Sequence, residues 1–215
     1  MRAFAGMYRW VFAALGAVTV AWGFRDSVLD NGFSWVSYFS FFTILSNISA
    51  IAVFAAGAWP RTRVRDPWPF GYVRGAVTVY MTITFVVSEV LLRGVEGGGP
   101  AWILDIEHRV MPAVVLADWL LMPPARRIGV RRAMAWLIIP VVYLTYSEVR
   151  GAVVHWYPYP FLDPRPHGVL PVVVNSVAVA AGFVAVTAAV ALLGDALSRK
   201  YRRNLSGICS DRESG

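Results

Sequence analysis

Apolar residues in this chain come in six long runs, over residues 8–24, 36–59, 72–92, 104–122, 133–154 and 170–194, separated by short polar connections. A bilayer's hydrocarbon core needs about 20 residues of helix, and about 17 at the least, so each run predicts a transmembrane helix, the first being the shortest. A basic residue precedes the first run, as in a signal peptide. No small-residue cleavage site follows it, however, and five further runs do, so it is read as a helix. The connections are too short for a separate soluble domain. The expected fold is therefore all-α, a polytopic membrane protein built as a bundle of six transmembrane helices in one domain over residues 1–198, with a basic and disordered tail over residues 199–215.

Composition agrees with this pattern: 57% hydrophobic, 15% charged and a mean hydropathy of +0.55 exclude a soluble domain of this length. A net charge of +7 would suggest nucleic acid if the cations formed one patch, but they sit in small clusters between the apolar runs and read as topology signals. Fifteen of them fall in one alternate set of connections, from Arg2 and Arg9 through Arg61, Arg63, Arg65 and Arg74 to the tail, and five, Arg25, Arg93, Arg109, Arg150 and Arg165, in the other. That bias predicts a multi-pass protein of the cell membrane with both termini in the cytoplasm. The single cysteine, Cys209, lies in the tail, which excludes a disulfide within the chain and a cysteine metal site. With three histidines and no H-E-x-x-H, G-x-S-x-G, P-loop or dinucleotide fingerprint, neither a metal nor a cofactor is expected. Membrane lipids are the expected partners, nucleic acid is not, and protein partners are left undetermined.

Candidate chemistry begins in the second run, where Ser40, Thr43 and Asn47 share one helical face and Ser46 widens the stripe. Such a stripe faces other helices or a wet cavity; alternatively, its hydroxyls bond back to carbonyls one turn earlier in their own helix. At about 1.5 Å per residue, Thr43 lies roughly 10 Å and His108 about 6 Å below the outer ends of their helices. Glu89 and Arg93, Glu148 and Arg150, and Asn175 fall near the same level, so a shared outer pocket is expected. Glu89 and Arg93, four apart with the acid first, also suit a simple ion pair, and Asp118 is expected to pair with Arg74 or a loop arginine. Pro112 and Pro140 predict kinks. The loop containing Trp156, Tyr157, Tyr159 and Phe161 reads either as an aromatic interface anchor or as a lid over the pocket.

The motifs F-F-T-I-L-S-N in the second run, H-R-V-M-P-A-V-V-L-A-D-W in the fourth, and R-G followed by W-Y-P-Y-P-F-L-D-P after the fifth resemble the bacterial six-span "Pr-six-Pr" membrane proteins. More remotely, residues 8 to 195 are similar to the androgen-induced-gene and FAR-seventeen-a group of eukaryotic membrane proteins. That resemblance implies an intramembrane hydrolase of fatty acid esters of hydroxy fatty acids, with a threonine nucleophile and a histidine at the positions of Thr43 and His108. Glu89 or Glu148 is then expected to orient the imidazole, and Asn47, Asn175 or Arg150 to donate to an oxyanion. A carrier or lipid-binding protein, and a structural subunit whose polar groups only hold helices together, are the alternatives.

Overall fold

A computed structural model describes residues 2–59, 68–95 and 99–213. Within them every regular element is helical: α1 (Arg2–Phe24) runs into a π turn (Arg25–Asp30), and α2 (Trp35–Tyr38), α3 (Phe42–Ala58) and α4 (Trp68–Val90) follow. Next come α5 (Ala101–Asp105), a π turn (Ile106–Val110) and α6 (Met111–Leu121) as one rod. Then α7 (Val130–Ala133), a 3-10 turn (Met134–Leu137) and α8 (Ile138–Val154) form a second, and a 3-10 turn (Pro160–Leu162) leads to α9 (Val169–Glu213).

Four helical stretches, Phe4–Asp30, Pro69–Val90, Val130–Val154 and Val169–Lys200, are long and apolar enough to cross a membrane. The other two expected spans fall short for different reasons. The second is broken at residues 39–41, which leaves α3 with 17 residues, and the fourth carries Asp105, Glu107, Arg109 and Asp118 within its 101–121 rod. The last helix continues past residue 194 to Glu213, through the stretch expected to be a disordered tail.

α4 is the central wall. Its apolar window is 56% buried against 17% for Val130–Val154, because it packs on α3, α6 and α9 while α8 stands away from all three. Val77 and Met81 of α4 join Ala13, Ala50, Phe54 and Met111 in one core, and Val79, Tyr80 and Ile83 join Phe42, Trp119, Trp136 and Phe183 in a second. α8 reaches α2 and the break that follows it through long side chains instead: Tyr143 donates to Ser40 O (2.8 Å), Tyr146 meets the Ser40 hydroxyl (2.7 Å), and Arg150 donates to Ser37 (3.0 Å). Exposed Ile138, Val142, Val149, Val153, Val173 and Val177 on α8 and α9 form apolar faces compatible with membrane insertion.

Both prolines act where the sequence suggests. Pro140 deprives the Trp136 carbonyl of its helical donor, the helix tightens to 3-10 just before it, and the Tyr80 hydroxyl donates to that carbonyl at 2.8 Å instead. Pro112 follows the π turn and likewise has no N–H for the His108 carbonyl.

At the end of the bundle away from the break, Asp118 is gripped by two arginines. Arg9 contacts it at 2.7 and 3.2 Å and Arg74 at 2.9 Å, with all three side chains 4–6% exposed. Arg9 also donates to Gly57 O and Arg74 to Met122 O. The pairing with Arg74 is the expected one; that with Arg9 is not, and both arginines leave the set of loop charges that argued for orientation. Arg61, Arg63 and Arg65 of that set lie outside the described residues. A buried carboxylate bridging two guanidiniums stabilises only while complete. Asp118→Asn is therefore expected to lower unfolding stability by about 3–5 kcal/mol in detergent, measured by denaturant titration; an unchanged midpoint would contradict the assigned role.

Candidate functional site

Hydroxyl side chains along these helices mostly satisfy themselves: Ser40, Ser46, Ser49, Thr78, Thr82, Thr84 and Thr145 each donate to the carbonyl four residues earlier. Thr43 does not. The chain leaves the helix after Tyr38, crosses Phe41 in an extended conformation and re-enters at Phe42, so Thr43 stands in the first turn of α3. The continuous helix expected over residues 36–59 is thereby corrected. Aromatic packing holds the break: Phe39 against Phe24 and Tyr38, and Phe41 against Phe33, Trp156 and Tyr159. The hydrogen bond from Tyr143 takes up the freed Ser40 carbonyl.

The buried Thr43 hydroxyl reaches two groups from other elements. Its Oγ1 lies 3.2 Å from His108 Nε2 and 3.4 Å from the Tyr159 hydroxyl. His108 Nδ1 lies 2.9 Å from the Leu104 carbonyl, which can only accept, so Nδ1 carries the proton and Nε2 presents a lone pair to Thr43. The Thr43 backbone N–H, one of the first-turn donors without an acceptor in the helix, donates to the Tyr159 hydroxyl at 3.3 Å. That leaves the Tyr159 proton free to point at Thr43 Oγ1. The chain of donors therefore runs Tyr159, Thr43, His108, Leu104. A hydroxyl held against a neutral imidazole acceptor, at the positive end of a helix, is the arrangement that an activated nucleophile requires.

Asn47 is a clamp. Both protons of its amide are spent on carbonyls, Thr43 O at 2.9 Å and Glu107 O at 3.1 Å, which ties α3 to the π turn that carries His108. It has no donor left for an oxyanion, contrary to the expected role. Leu104 O, not a carboxylate, orients the imidazole: Glu89 is held by Arg109 at 2.6 Å and Arg93 at 2.9 Å, and Glu148 lines neither cavity at the site. Arg150, bonded to Ser37, places its guanidinium 4.9 Å from the Trp156 ring centre, where it supports the aromatic loop without facing Thr43. Asn175 on α9 also lines neither cavity. Of the five supporting residues expected from sequence, Glu89 lines the Thr43 cavity, Asn47 fixes its frame, and Glu148, Arg150 and Asn175 stand apart.

Two cavities meet at Thr43 and Tyr159, which line both. One, of about 1130 Å³, lies among the 26–33, 88–95, 99–109 and 156–163 segments and is lined by His108, Glu89, Glu107, Trp156 and Tyr157. The other, of about 200 Å³, lies between α3, α4, α8 and α9 and is walled by Phe42, Ile83, Tyr143, Leu144, Phe161 and Phe183. The loop read as anchor or lid is a stiff cover over their junction. Arg165 donates from Nε and Nη2 to the Asp163 carboxylate and from Nη1 to the His155 carbonyl, holding the Asp163 carboxyl below its usual range. Tyr157 packs onto Gly151, where any side chain would strike its ring. Glu107 escaped the sequence reading as a site group: it is 3% exposed, lines the larger cavity, and its Oε1 has no hydrogen-bond partner among the described residues. No group of three or more potential metal ligands occurs among the described residues.

The donor chain predicts the histidine's tautomer. With ¹⁵N-labelled histidine, the His108 signals should report a protonated Nδ1 and an unprotonated, hydrogen-bonded Nε2 at neutral pH; the opposite tautomer would undo the assigned direction of the Thr43 bond. No family model, curated protein or solved structure matches this chain.

Proposed function

We propose that this protein is an intramembrane hydrolase of lipid esters, with Thr43 as nucleophile and His108 as base. The observation that carries the reading is that Thr43, where Ser40 and Ser46 beside it donate to carbonyls one turn back, turns its oxygen to His108 Nε2 at 3.2 Å. Oγ1 attacks the ester carbonyl carbon as its proton passes to His108 Nε2. The carbonyl oxygen becomes an oxyanion, and two donors beside Oγ1 turn to it by leaving the bonds they make in the free protein: the Tyr159 hydroxyl, released from Oγ1 as that oxygen attacks, and the Thr43 N–H, released from the Tyr159 oxygen. As the C–O bond to the alcohol breaks, the imidazolium returns the proton to the departing oxygen and an acyl-threonine remains. Water, deprotonated by the same nitrogen, attacks the acyl carbon, and the fatty acid leaves as Thr43 regains its proton.

The Leu104 carbonyl takes the orienting part of the carboxylate in a Ser-His-Asp triad, holding the tautomer without adding charge. A buried, charge-free relay suits a site inside a bilayer, where a further carboxylate is costly. Against a carrier stands the opposite end of the bundle, where the buried Arg9, Asp118 and Arg74 fill the core between α1, α4 and α6.

The six-span topology, with both termini cytoplasmic, belongs to the same proposal. It rests on the basic residues that remain in connections and tail, and it opens the larger cavity toward the outer leaflet. A reporter fused after Arg203 should behave as cytoplasmic; a periplasmic signal would overturn the orientation. Thr43→Ala and His108→Ala should each cut turnover of a short-chain p-nitrophenyl ester by about 10²–10⁴-fold in detergent. Unfolding midpoints should stay near wild type, because neither change opens a charged pair. Unchanged turnover in either variant would remove the hydrolase reading.

A further inference from the structure

The geometry points to a division of the ester substrate between the two cavities: the acyl chain lodges in the apolar cavity between α8 and α9, and an uncharged or cationic alcohol occupies the larger one. The inference rests on the hydrolase reading for its chemistry and on the cavities themselves for its selectivity.

The small cavity exists because α8 is held off the bundle by Tyr143 and Tyr146, while α9 leans on α4 and on the 3-10 turns at 134–137 and 160–162. The two helices make no extended backbone contact with each other. Pro140, Val141, Ala180 and Val184 line the resulting gap, and Val141 is 62% and Val184 47% exposed on apolar helix faces. In a bilayer these rim residues meet lipid tails, so an alkyl chain passes from the bilayer into the cavity without crossing water. Inside it meets almost only hydrocarbon, apart from the hydroxyls of Thr43, Thr84, Tyr143, Tyr159 and Ser176. Thr84 is bonded to Tyr80 O and Ser46, and Tyr143 to Ser40 O. Of the rest, Ser176 stands on α9, and Thr43 and Tyr159 stand where the two cavities meet, which is where an ester carbonyl must stop for Oγ1 to reach it.

The larger cavity has the opposite character. Among the described residues Asp26, Glu89, Asp105, Glu107 and Asp163 line it, against a single lining arginine, Arg109. Arg109 is already committed to Glu89 and Asp105, and Asp163 to Arg165. Glu107 is 3% exposed and its Oε1 has no partner among the described residues, so it can accept from a hydroxyl or ammonium of a bound ligand. A phosphate or carboxylate on the alcohol half, that of a hydroxy fatty acid included, would sit among these acids with Arg109, the lining arginine among the described residues, already paired. A polyol such as glycerol, or an amino alcohol, fits.

The test uses the full chain in nanodiscs of neutral phospholipid, with glycerol monoesters of two to sixteen carbons and the matching lysophosphatidates. Wild type should favour long acyl chains and glycerol over glycerol phosphate. Ala180→Trp and Val141→Trp, both on the exposed rim and clear of the packed core, should lower kcat/KM for the twelve-carbon ester by about tenfold or more, and by a smaller factor for the two-carbon ester. An unchanged chain-length profile in both variants, or preference for the phosphate esters, overturns the division. If no ester is turned over, the hydrolase reading fails by itself, and a non-cleavable N-acyl glycinol carrying a chain-terminal diazirine decides the rest. Crosslinking to α8 or α9 residues of the small cavity upholds the chain site, and crosslinking elsewhere overturns it.

Discussion

The break in the helical chain at Phe39–Phe41 is the constraint on which the site depends. In an unbroken helix the Thr43 hydroxyl would have the Phe39 carbonyl one turn behind it, as Ser46 has Phe42, and the first-turn N–H groups would be consumed. Breaking the chain frees both, but leaves backbone groups exposed where a membrane offers no water to bind them. The surrounding side chains meet that demand: Ser34 caps α2, Tyr143 takes the Ser40 carbonyl, and Tyr159 takes the Thr43 N–H. The aromatic cluster of Phe33, Phe41, Trp156 and Tyr159 then excludes alternatives by packing. Pieces from three loops and four helices are thus needed to hold one hydroxyl off its own helix.

A second irregularity answers the first. The π turn at residues 106–110 precedes Pro112, and Asn47 clamps its Glu107 carbonyl to α3, so the imidazole arrives against Thr43 from a rod pinned in place. Elsewhere the bundle is held by more ordinary means. The Arg9, Asp118 and Arg74 triad locks α1, α4 and α6 at one end, and Asp195 of α9 accepts the Ile128 and Gly129 N–H groups at 2.7 and 3.2 Å to pin the turn before α7. Charge pairing and capping at that end contrast with the irregular backbone at the other, where Thr43 and His108 meet.

Much of this was legible in the amino-acid order. Run length and hydropathy were enough for an all-helical chain with membrane-compatible helices, and counting residues along the runs brought Thr43 and His108 to one level, where they are in contact. The Glu89–Arg93 pair and the Asp118–Arg74 pair followed from spacing and from the cost of a lone buried charge. What escaped was azimuth and local geometry. Hydropathy cannot distinguish a helix that runs from Val36 to Trp59 from one interrupted by aromatic packing, because Phe39 and Phe41 are apolar in either case. Asn47 shares a face with Thr43, but its hydrogen bonds go to carbonyls that only the folded backbone supplies. The imidazole's orienter is a main-chain group and has no signature in sequence at all. Tyr159 stood in a loop read by composition as an anchor or lid, and its hydroxyl's reach to Thr43 depends on the Asp163–Arg165 pairing and the Tyr157–Gly151 contact that set the loop's path.

The central claim is that Thr43 Oγ1 is a nucleophile, and covalent capture tests it most directly. Purified protein treated with a lipid-like fluorophosphonate, digested and mapped by mass spectrometry should carry the adduct on Thr43 within the peptide that begins α3, and His108→Ala should slow its formation. Capture at another residue, or none at probe concentrations that label an established serine hydrolase to completion, would contradict the account.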